Sequence, residues 1–337
     1  MKKIFNLIAS FVLLAGFSAC NKDGSDKPGL PPAPVPTVNY KGLTFISSGK
    51  STVCLAKVGA PDEITLEYST DESQWNPYTI GEKISMADGS FLLFRAGEQK
   101  NLTFSKGSDS YYHFKISGPV SAQGNIMSLL DRDFSTPLST NAFFALFEGC
   151  TSLLSAPELP ATTMEQGCYF RMFAECTGLK SAPELPAKEL AYNCYGWMFK
   201  GCSALTYVPD LPATEMVSYC YNNMFANCTS LKFAPELPAT RLDMGCYHCM
   251  FEGCTSLTSA PELPATELVS NCYEFMYKDC RNLRYVIGLF TTEPSEKTTK
   301  DWLSGVAASG TFIKSKKATW DVTSAHGVPE GWKIETW

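Results

Sequence analysis

Residues 194–219 read CYGWMFKGCSALTYVPDLPATEMVSY, and the same phrase begins again at Cys220. Cysteine recurs every 26 residues in two series, without insertion or deletion. The two series are Cys150, Cys176, Cys202, Cys228, Cys254 and Cys280, and Cys168, Cys194, Cys220, Cys246 and Cys272. A strict period of this length predicts coils that stack and bury their apolar sides against one another.

Each coil combines two local patterns. Residues 194–202 place apolar side chains four apart, which is the spacing along one face of a short α-helix. Farther on, Pro209 and Pro212 remove two backbone donors, so a strand here can pair over only two to four residues before the first proline. We therefore expect every coil to contain one short helix and one very short parallel strand.

These residues resemble the BspA-like, Treponema-type branch of leucine-rich repeats, which reads Leu-x-x-Ile-x-Leu-Pro, a turn, and then Ala-Phe-x-x-Cys. The matching residues are Leu179, Ala182, Leu185, Pro186, Leu190, Met198, Phe199 and Cys202. The coil is a few residues longer than is usual in that branch, and Ala-Pro replaces its β-branched strand residues. The resemblance implies a surface lipoprotein of Gram-negative gut anaerobes whose repeats adhere to host or microbial proteins.

The predicted fold class is α+β. Residues 39–120 alternate short β-rich runs with turn residues, which predicts an antiparallel β-sandwich. Residues 121–290 are predicted to form a leucine-rich-repeat solenoid with its own N-terminal cap. Residues 291–337 lose the repeat and are predicted to form a small C-terminal cap, in which residues 295–306 form a helix beginning at Ser295.

The N-terminus indicates export and anchoring. Residues 1–20 begin with Lys2-Lys3 and continue with an apolar run too short to span a bilayer. Residues 17–20, FSAC, are similar to a lipobox and predict that Cys20 is lipidated; an ordinary secretory signal is the alternative. Residues 21–38 are rich in proline and predict an extended tether. We expect an outer-membrane protein that faces the exterior and touches the membrane only through its lipid.

Composition argues against several classes of function. The repeats between residues 143 and 285 carry 15 acidic and 9 basic residues, which is a poor electrostatic match for nucleic acid. The three histidines are far apart, and the chain has no recognised catalytic motif, metal signature or glycine-rich phosphate loop. We therefore expect a non-enzymatic monomer without a cofactor.

The cysteine columns leave two possibilities. Export permits disulfides, but Cys168 and Cys176 are about two turns apart in a helix and could not pair there. We favour free, buried thiols, because cysteine is a small apolar residue that suits a tight column. Cys249 is different: it lies beside His248 at a variable position, so we expect it to be exposed. A metal site formed by His248, Cys249 and Cys246 would need a fourth ligand.

An acidic residue recurs in the phrase Ala-Pro-acid-Leu-Pro. It forms the series Glu158, Glu184, Asp210, Glu236 and Glu262. We interpret the series as a solvated ridge. A Ca²⁺ site formed by Glu184, Asp210 and Glu236 is the weaker alternative.

Aromatic and basic residues break the repeat at strand positions. These candidate ligand-binding residues are Lys180, Tyr207, Lys232, Phe233 and Tyr285. Tyr207 and Phe233 are predicted to stack in adjacent coils. We expect this face to bind an extracellular protein; a glycan taken up as a nutrient, and chance surface aromatics with no ligand, are the alternatives.

Overall fold

The computed structural model describes residues 40–99, 102–320 and 326–337. The predicted signal, lipidated Cys20 and tether therefore lie outside the described residues. The residues described all belong to one compact unit, built almost entirely from strands and turns in three sheets. No helix in this part of the chain has the length and apolarity to cross a bilayer.

The N-terminal module is made of nine strands. They are β1 Leu43–Ser47, β2 Ser51–Val58, β3 Leu66–Ser69, β4 Asn76–Tyr78, β5 Ile84–Met86, β6 Phe91–Ala96, β7 Ser105–Gly107, β8 Ser110–Ser117 and β9 Val120–Gln123. One sheet has the order β5-β2-β8-β7, and the other contains β9-β1-β6-β3-β4. The sheets face each other, because the Phe114 ring of β8 contacts Phe45 and Phe94 of the opposite sheet, at 5.0 and 5.6 Å.

The module joins the repeats directly. Strand β10, Leu153–Ser155, lies in the first coil and pairs in parallel with β9. Between them a single turn of 3₁₀ helix, Ile126–Leu129, begins at Asn125, whose side chain accepts the Met127 N–H. The first coil therefore extends one sheet of the module.

The predicted α+β leucine-rich-repeat fold is wrong, because the described residues contain no α-helix and their regular structure is nearly all β. The segments expected to be helices are instead runs of overlapping four-residue turns, which we call turn ribbons. They occupy residues 140–149, 166–175, 192–201, 218–227, 244–253 and 270–279.

Backbone hydrogen bonds explain why a turn ribbon replaces a helix. Within one ribbon the Met172 N–H bonds the Tyr169 carbonyl three residues earlier, at 3.2 Å. The alternate N–H groups bond the next coil, as from Tyr169 to the Cys194 carbonyl at 3.1 Å and from Phe173 to the Met198 carbonyl at 2.9 Å. A helix would use these donors internally. The ribbon frees them to join successive coils.

Every fourth residue of a ribbon has a positive φ. In the second ribbon these are Gly167, Arg171 and Glu175, with φ of 59°, 58° and 59°. A positive φ at the third position is the requirement of a type II turn. Glycine, Asn or Asp fills most of these positions, and the residues that do so are Asn141, Gly149, Gly167, Asn193, Gly201, Asn223, Asn227, Gly245, Gly253, Asn271 and Asp279.

Two columns of parallel rings fill the interior of the stack. The first contains Phe147, Phe173, Phe199, Phe225, Phe251 and Tyr277, with centroids 5.3 to 5.8 Å apart. The second contains Phe143, Tyr169, Tyr195, Tyr221, Tyr247 and Tyr273, with centroids 5.8 to 6.0 Å apart. Phe114 of the module stacks on Phe147 at 5.2 Å, and Trp302 stacks on Tyr273 at 6.3 Å. The module and the C-terminal segment therefore close the two ends of the same core.

All thirteen described cysteines are free and buried. In one column each thiol donates to the carbonyl of a phenylalanine in the preceding layer, at 3.0 to 3.2 Å. The constant cysteine is thus explained by packing and by this bond, in a space that suits a small apolar side chain.

The parallel strands of the repeats are short. In the middle coils they shrink to single bridges, such as Ser181 with Tyr207. A longer four-stranded parallel sheet forms at the C-terminal end, where Val286-Ile287-Gly288 replaces Ala-Pro-acid. Its strands are β11 Ser259–Leu263, β12 Tyr285–Gly288, β13 Thr311–Lys314 and β14 Lys333–Thr336.

The helix predicted at residues 295–306 is also wrong. This segment is a further turn ribbon: the Tyr277 N–H bonds the Trp302 carbonyl at 2.9 Å, and Asp301 and Gly305 have φ of 50° and 73°. Strand β13 pairs Thr311 with Tyr285, one period of 26 residues earlier. The structural repeat therefore continues into the C-terminal segment, although the sequence motif does not.

Candidate binding surface

Tyr207 is held at the surface by backbone bonds on both sides. Its carbonyl accepts the Ala182 N–H at 3.1 Å, and the neighbouring Thr206 N–H bonds the Lys180 carbonyl at 3.0 Å. The side chain, 38 % exposed, points away from the core. A fixed backbone presents this ring at low conformational cost, because only the side chain remains to be ordered on binding.

Phe233 is the most exposed large apolar residue of the described chain, at 62 %. The predicted stacking of Tyr207 on Phe233 is wrong: within the described residues the two rings make no contact with each other. The reason is local, because the Phe233 backbone joins no strand pair and is not drawn into register with Tyr207. The two rings are therefore separate contact points in consecutive coils.

Exposed charged residues lie close to both rings in the repeat sequence. Lys180 and Lys232 are exposed, as are Glu184, Asp210 and Glu236. None of the five belongs to an ion pair among the residues described. Unpaired charges of both signs beside bare aromatic rings offer a partner several contacts that the chain itself leaves unused.

The acidic residues Glu184 and Asp210 affect the pKa of the Tyr207 hydroxyl. Partial burial raises its pKa, and the negative charges of Glu184 and Asp210 raise it further. Members of the acidic series also affect one another. Burial raises the pKa of Glu262, and the negative charge of Glu236 raises it further. The part of the chain that the structure describes contains no group of three or more His, Cys, Asp or Glu residues placed to hold a metal ion.

Tyr285 differs from the other predicted face residues. It lies in β12, between Ser259 of β11 and Thr311 of β13, and is half-buried. Burial raises its pKa, with a smaller contribution from the charge of Glu335. Tyr285 is therefore less available to a partner than Tyr207 or Phe233.

The expected exposure of Cys249 is wrong, because its side chain is buried. Its Sγ lies 3.8 Å from Nε2 of His248, whose other ring nitrogen is 3.1 Å from the Asn222 side chain and whose Nε2 is 3.6 Å from Glu274. Burial raises the pKa of Cys249 to about 12 and lowers that of His248, although Glu274 opposes the second shift. Cys246 lies in the core column instead and does not complete a site.

A second exposed apolar cluster was not predicted from the sequence. It contains Tyr192, the half-buried Tyr219 and Met244, at the start of three successive ribbons. Tyr192 and Met244 are 47 % and 43 % exposed, and the Tyr192 and Tyr219 rings meet edge to face at 6.1 Å. Large apolar residues at these variable positions of the repeat could have indicated the cluster.

Comparison with known proteins finds no matching family model, no similar curated protein and no similar solved structure. The functional interpretation of this chain therefore depends on its own surfaces.

Proposed function

We propose that this chain is a non-enzymatic, lipid-anchored cell-surface protein whose repeat face binds an extracellular protein. The observation that supports this role is the exposure of Tyr207 and Phe233 in consecutive coils. The coils on either side carry Ser181 and Ser259 at the same position. Covering exposed aromatic surface favours a complex, and aromatic residues are enriched in protein interfaces.

The predicted anchor fits this role. Lipidation at Cys20 and the proline-rich tether would hold the repeats off the outer membrane and facing outward, as a monomer available to partners. The sequence resemblance to BspA-like surface lipoproteins also supports an adhesive role.

A glycan is the second candidate ligand. Tyr207 lies close enough to Glu184 and Asp210 for their charges to affect its pKa. A ring with carboxylate acceptors beside it can contact the apolar face of a sugar and bond its hydroxyl groups.

Parallel binding assays would separate the two ligand classes. The full chain would be applied to a glycan array and to a panel of immobilised extracellular proteins. The same assays would use the double variant Tyr207→Ser, Phe233→Ser, which places the residue of the neighbouring coils at both positions. Tyr192→Ser is the matched control, because it removes an exposed ring outside this face.

We expect a protein ligand whose affinity falls at least tenfold in the double variant, about 1.4 kcal/mol, and is unchanged in the control. A ligand found only on the glycan array would favour the second candidate. Equal binding by the chain and its double variant would exclude this face as the ligand surface.

A further inference from the structure

Tyr192, Tyr219 and Met244 form a continuous apolar surface, which we call the ribbon-entry patch. The Tyr192 and Tyr219 rings meet at 6.1 Å, and the Tyr219 N–H bonds the Met244 carbonyl at 2.9 Å. The Tyr219 ring also lies against Gly245, where an added Cβ would be 2.4 Å from Cε1 of the ring. The patch therefore spans three consecutive coils.

Tyr219 has a backbone conformation that is unusual for its residue type. Its φ is 57°, and the residues at the equivalent place in five other ribbons share this conformation but are glycine or asparagine. These residues are Asn141, Gly167, Asn193, Gly245 and Asn271. Glycine and asparagine adopt a positive φ more readily than an aromatic residue does. The chain therefore accepts backbone strain in one coil and places a ring at the surface there.

Stacking of the coils does not explain the other two patch residues. Tyr192 and Met244 are each the first residue of a ribbon, and both are exposed. The first residues of the other ribbons are polar, namely Thr140, Gln166, Ser218 and Ser270. A large apolar side chain at this place is therefore available for contact with another molecule.

The segments that lead into the ribbons are acidic. Five equivalent segments occupy residues 161–167, 187–193, 213–219, 239–245 and 265–271. They contain the acidic residues Glu165, Glu189, Glu215, Asp243 and Glu267 and the basic residues Lys188 and Arg241, for a net charge of −3. Arg241 pairs with Glu215 at 3.4 Å, which leaves four carboxylates against Lys188. These segments therefore attract a cationic partner.

Two of the carboxylates belong to residues beside the patch. Asp243 precedes Met244, and its Oδ1 accepts the Met244 N–H at 2.7 Å. Glu189 is three residues before Tyr192, so their Cα atoms are at most about 11 Å apart. Neither acid forms an ion pair with another described residue. An exposed ring and carboxylates without a cation are therefore close together.

The N-terminal module shows which group can use a ring and a carboxylate at once. Arg95 lies over the Trp75 ring at 3.7 Å and pairs with Glu67 at 2.7 Å. The guanidinium is planar, so it can stack on a ring while its N–H groups bond a carboxylate. Tyr192 and Glu189 offer the same ring and carboxylate without the arginine.

The remainder of the patch favours a protein over a sugar. Methionine and tyrosine are enriched in protein interfaces, and the flexible Met244 side chain can adapt to an apolar group. The Tyr192 and Tyr219 rings meet edge to face, so they do not form one flat platform for a sugar ring. An apolar protein side chain fits this surface better.

We propose that the ribbon-entry patch binds a segment of a second partner protein, in which an arginine stacks on Tyr192 and pairs with Glu189 while an adjacent apolar side chain packs on Tyr219 and Met244. This site is separate from the face around Tyr207 and does not depend on it.

A displayed library of random dodecapeptides tests this proposal. Peptides are selected on the full chain, and those that also bind the variant Tyr192→Ser, Tyr219→Asn, Met244→Ser are removed. Each substitution introduces a residue that the repeat already has at the equivalent place. Surviving peptides are measured against the chain, against Glu189→Gln and against Tyr207→Ser with Phe233→Ser. Each is also measured with its arginine replaced by citrulline, which is uncharged but similar in shape.

We expect the surviving peptides to contain an arginine next to an apolar residue. Citrulline should weaken binding roughly tenfold, because both the stacking and the ion pair suffer, and Glu189→Gln roughly threefold, because only the ion pair is lost. The Tyr207 variant should bind as the original chain does. A selection without survivors, survivors that lack arginine, or equal binding of the citrulline form would each overturn the proposal.

Thermal unfolding separates binding from packing at Tyr219. Tyr219→Asn should weaken peptide binding but leave the unfolding midpoint unchanged or raised, because asparagine suits a φ of 57°. A lowered midpoint would show that the ring serves the stability of the stack, and it would overturn the assignment of Tyr219 to the binding site.

Discussion

The thiol of Cys254 donates a hydrogen bond of 3.1 Å to the carbonyl oxygen of Phe225, in the preceding coil. The same oxygen already accepts the N–H of Cys228, so the thiol uses its second acceptor site. Cys246 lies in the same coil and is equally buried, but its sulfur makes no such bond to a carbonyl of the described residues. The two cysteines therefore form a natural comparison.

Cys254→Ala should destabilise the fold more than Cys246→Ala. Both variants lose a similar buried volume, while only the first loses a hydrogen bond, for a difference of about 0.5–1 kcal/mol. Urea unfolding of the two variants measures the difference. Equal losses would mean that the thiol contributes only its volume.

Thiol accessibility gives a second prediction. Burial raises the pKa of Cys150, Cys194 and Cys254 to about 12 each, and the thiolate is the reactive form. The folded protein, kept unreduced, should therefore react with a thiol reagent at almost none of the thirteen described cysteines, and at all of them in guanidinium. Rapid labelling when folded, or missing thiols after unfolding, would contradict free buried cysteines.

The positive φ positions predict a stabilising substitution. Glu175 has φ of 59° and an exposed side chain, whereas glycine occupies the equivalent place at Gly149, Gly201 and Gly253. Glu175→Gly should raise the free energy of unfolding by up to about 1 kcal/mol, because a non-glycine residue in this region costs about 1–2 kcal/mol and glycine loses part of that gain as chain entropy.

Glu175→Ala is the control for that change, since it removes the carboxylate and retains the Cβ. Its stability should match that of the original chain, as measured by thermal unfolding. A rise in both variants would assign the effect to the charge and not to the backbone.

Asp131 predicts a pH dependence. Its side chain is buried, which by itself raises the pKa, but hydrogen bonds from Thr136, Ser135 and Asp133 outweigh burial and lower it. A lowered folded-state pKa stabilises the fold above the unfolded value of about 3.9 and loses that effect as pH falls through the folded value.

Asp131→Asn should therefore cost about 1.5–3 kcal/mol at pH 7, the range for hydrogen bonds to a charged group. The cost should shrink as pH falls below about 4. Chemical unfolding at several pH values measures both. A cost that is independent of pH would show that the charge of Asp131 does not stabilise the loop that it closes.

The repeat and its core could be predicted from sequence, but the local backbone could not. Apolar residues four apart, such as Met198 and Cys202, suit one face of a helix, and they suit a turn ribbon equally well. The distinguishing signal was the residues between them. Gly201, Asn227, Gly253 and Asp279 recur at positions where the backbone adopts a positive φ. A helix disfavours glycine, Asn and Asp at such interior positions.

The exposure of the candidate binding surface was predicted in part. The exposed rings of Tyr207 and Phe233 lie where the repeat is broken, as sequence alone suggested. Their separation depends on strand register. A β-bridge fixes the register at Tyr207, but no bridge among the described residues fixes it at Phe233.

The one-way bonding between ribbons also gives the molecule an electrical polarity. Peptide dipoles that point the same way add up, as they do in a helix, and leave partial positive charge at the end that offers free N–H groups. Here that end is the ribbon containing Leu303, in a chain of formal charge −6. Each further coil would lengthen the array of aligned dipoles without changing either end. The number of repeats therefore sets the reach of the protein, and the direction of its hydrogen bonds sets which end attracts electron-rich groups.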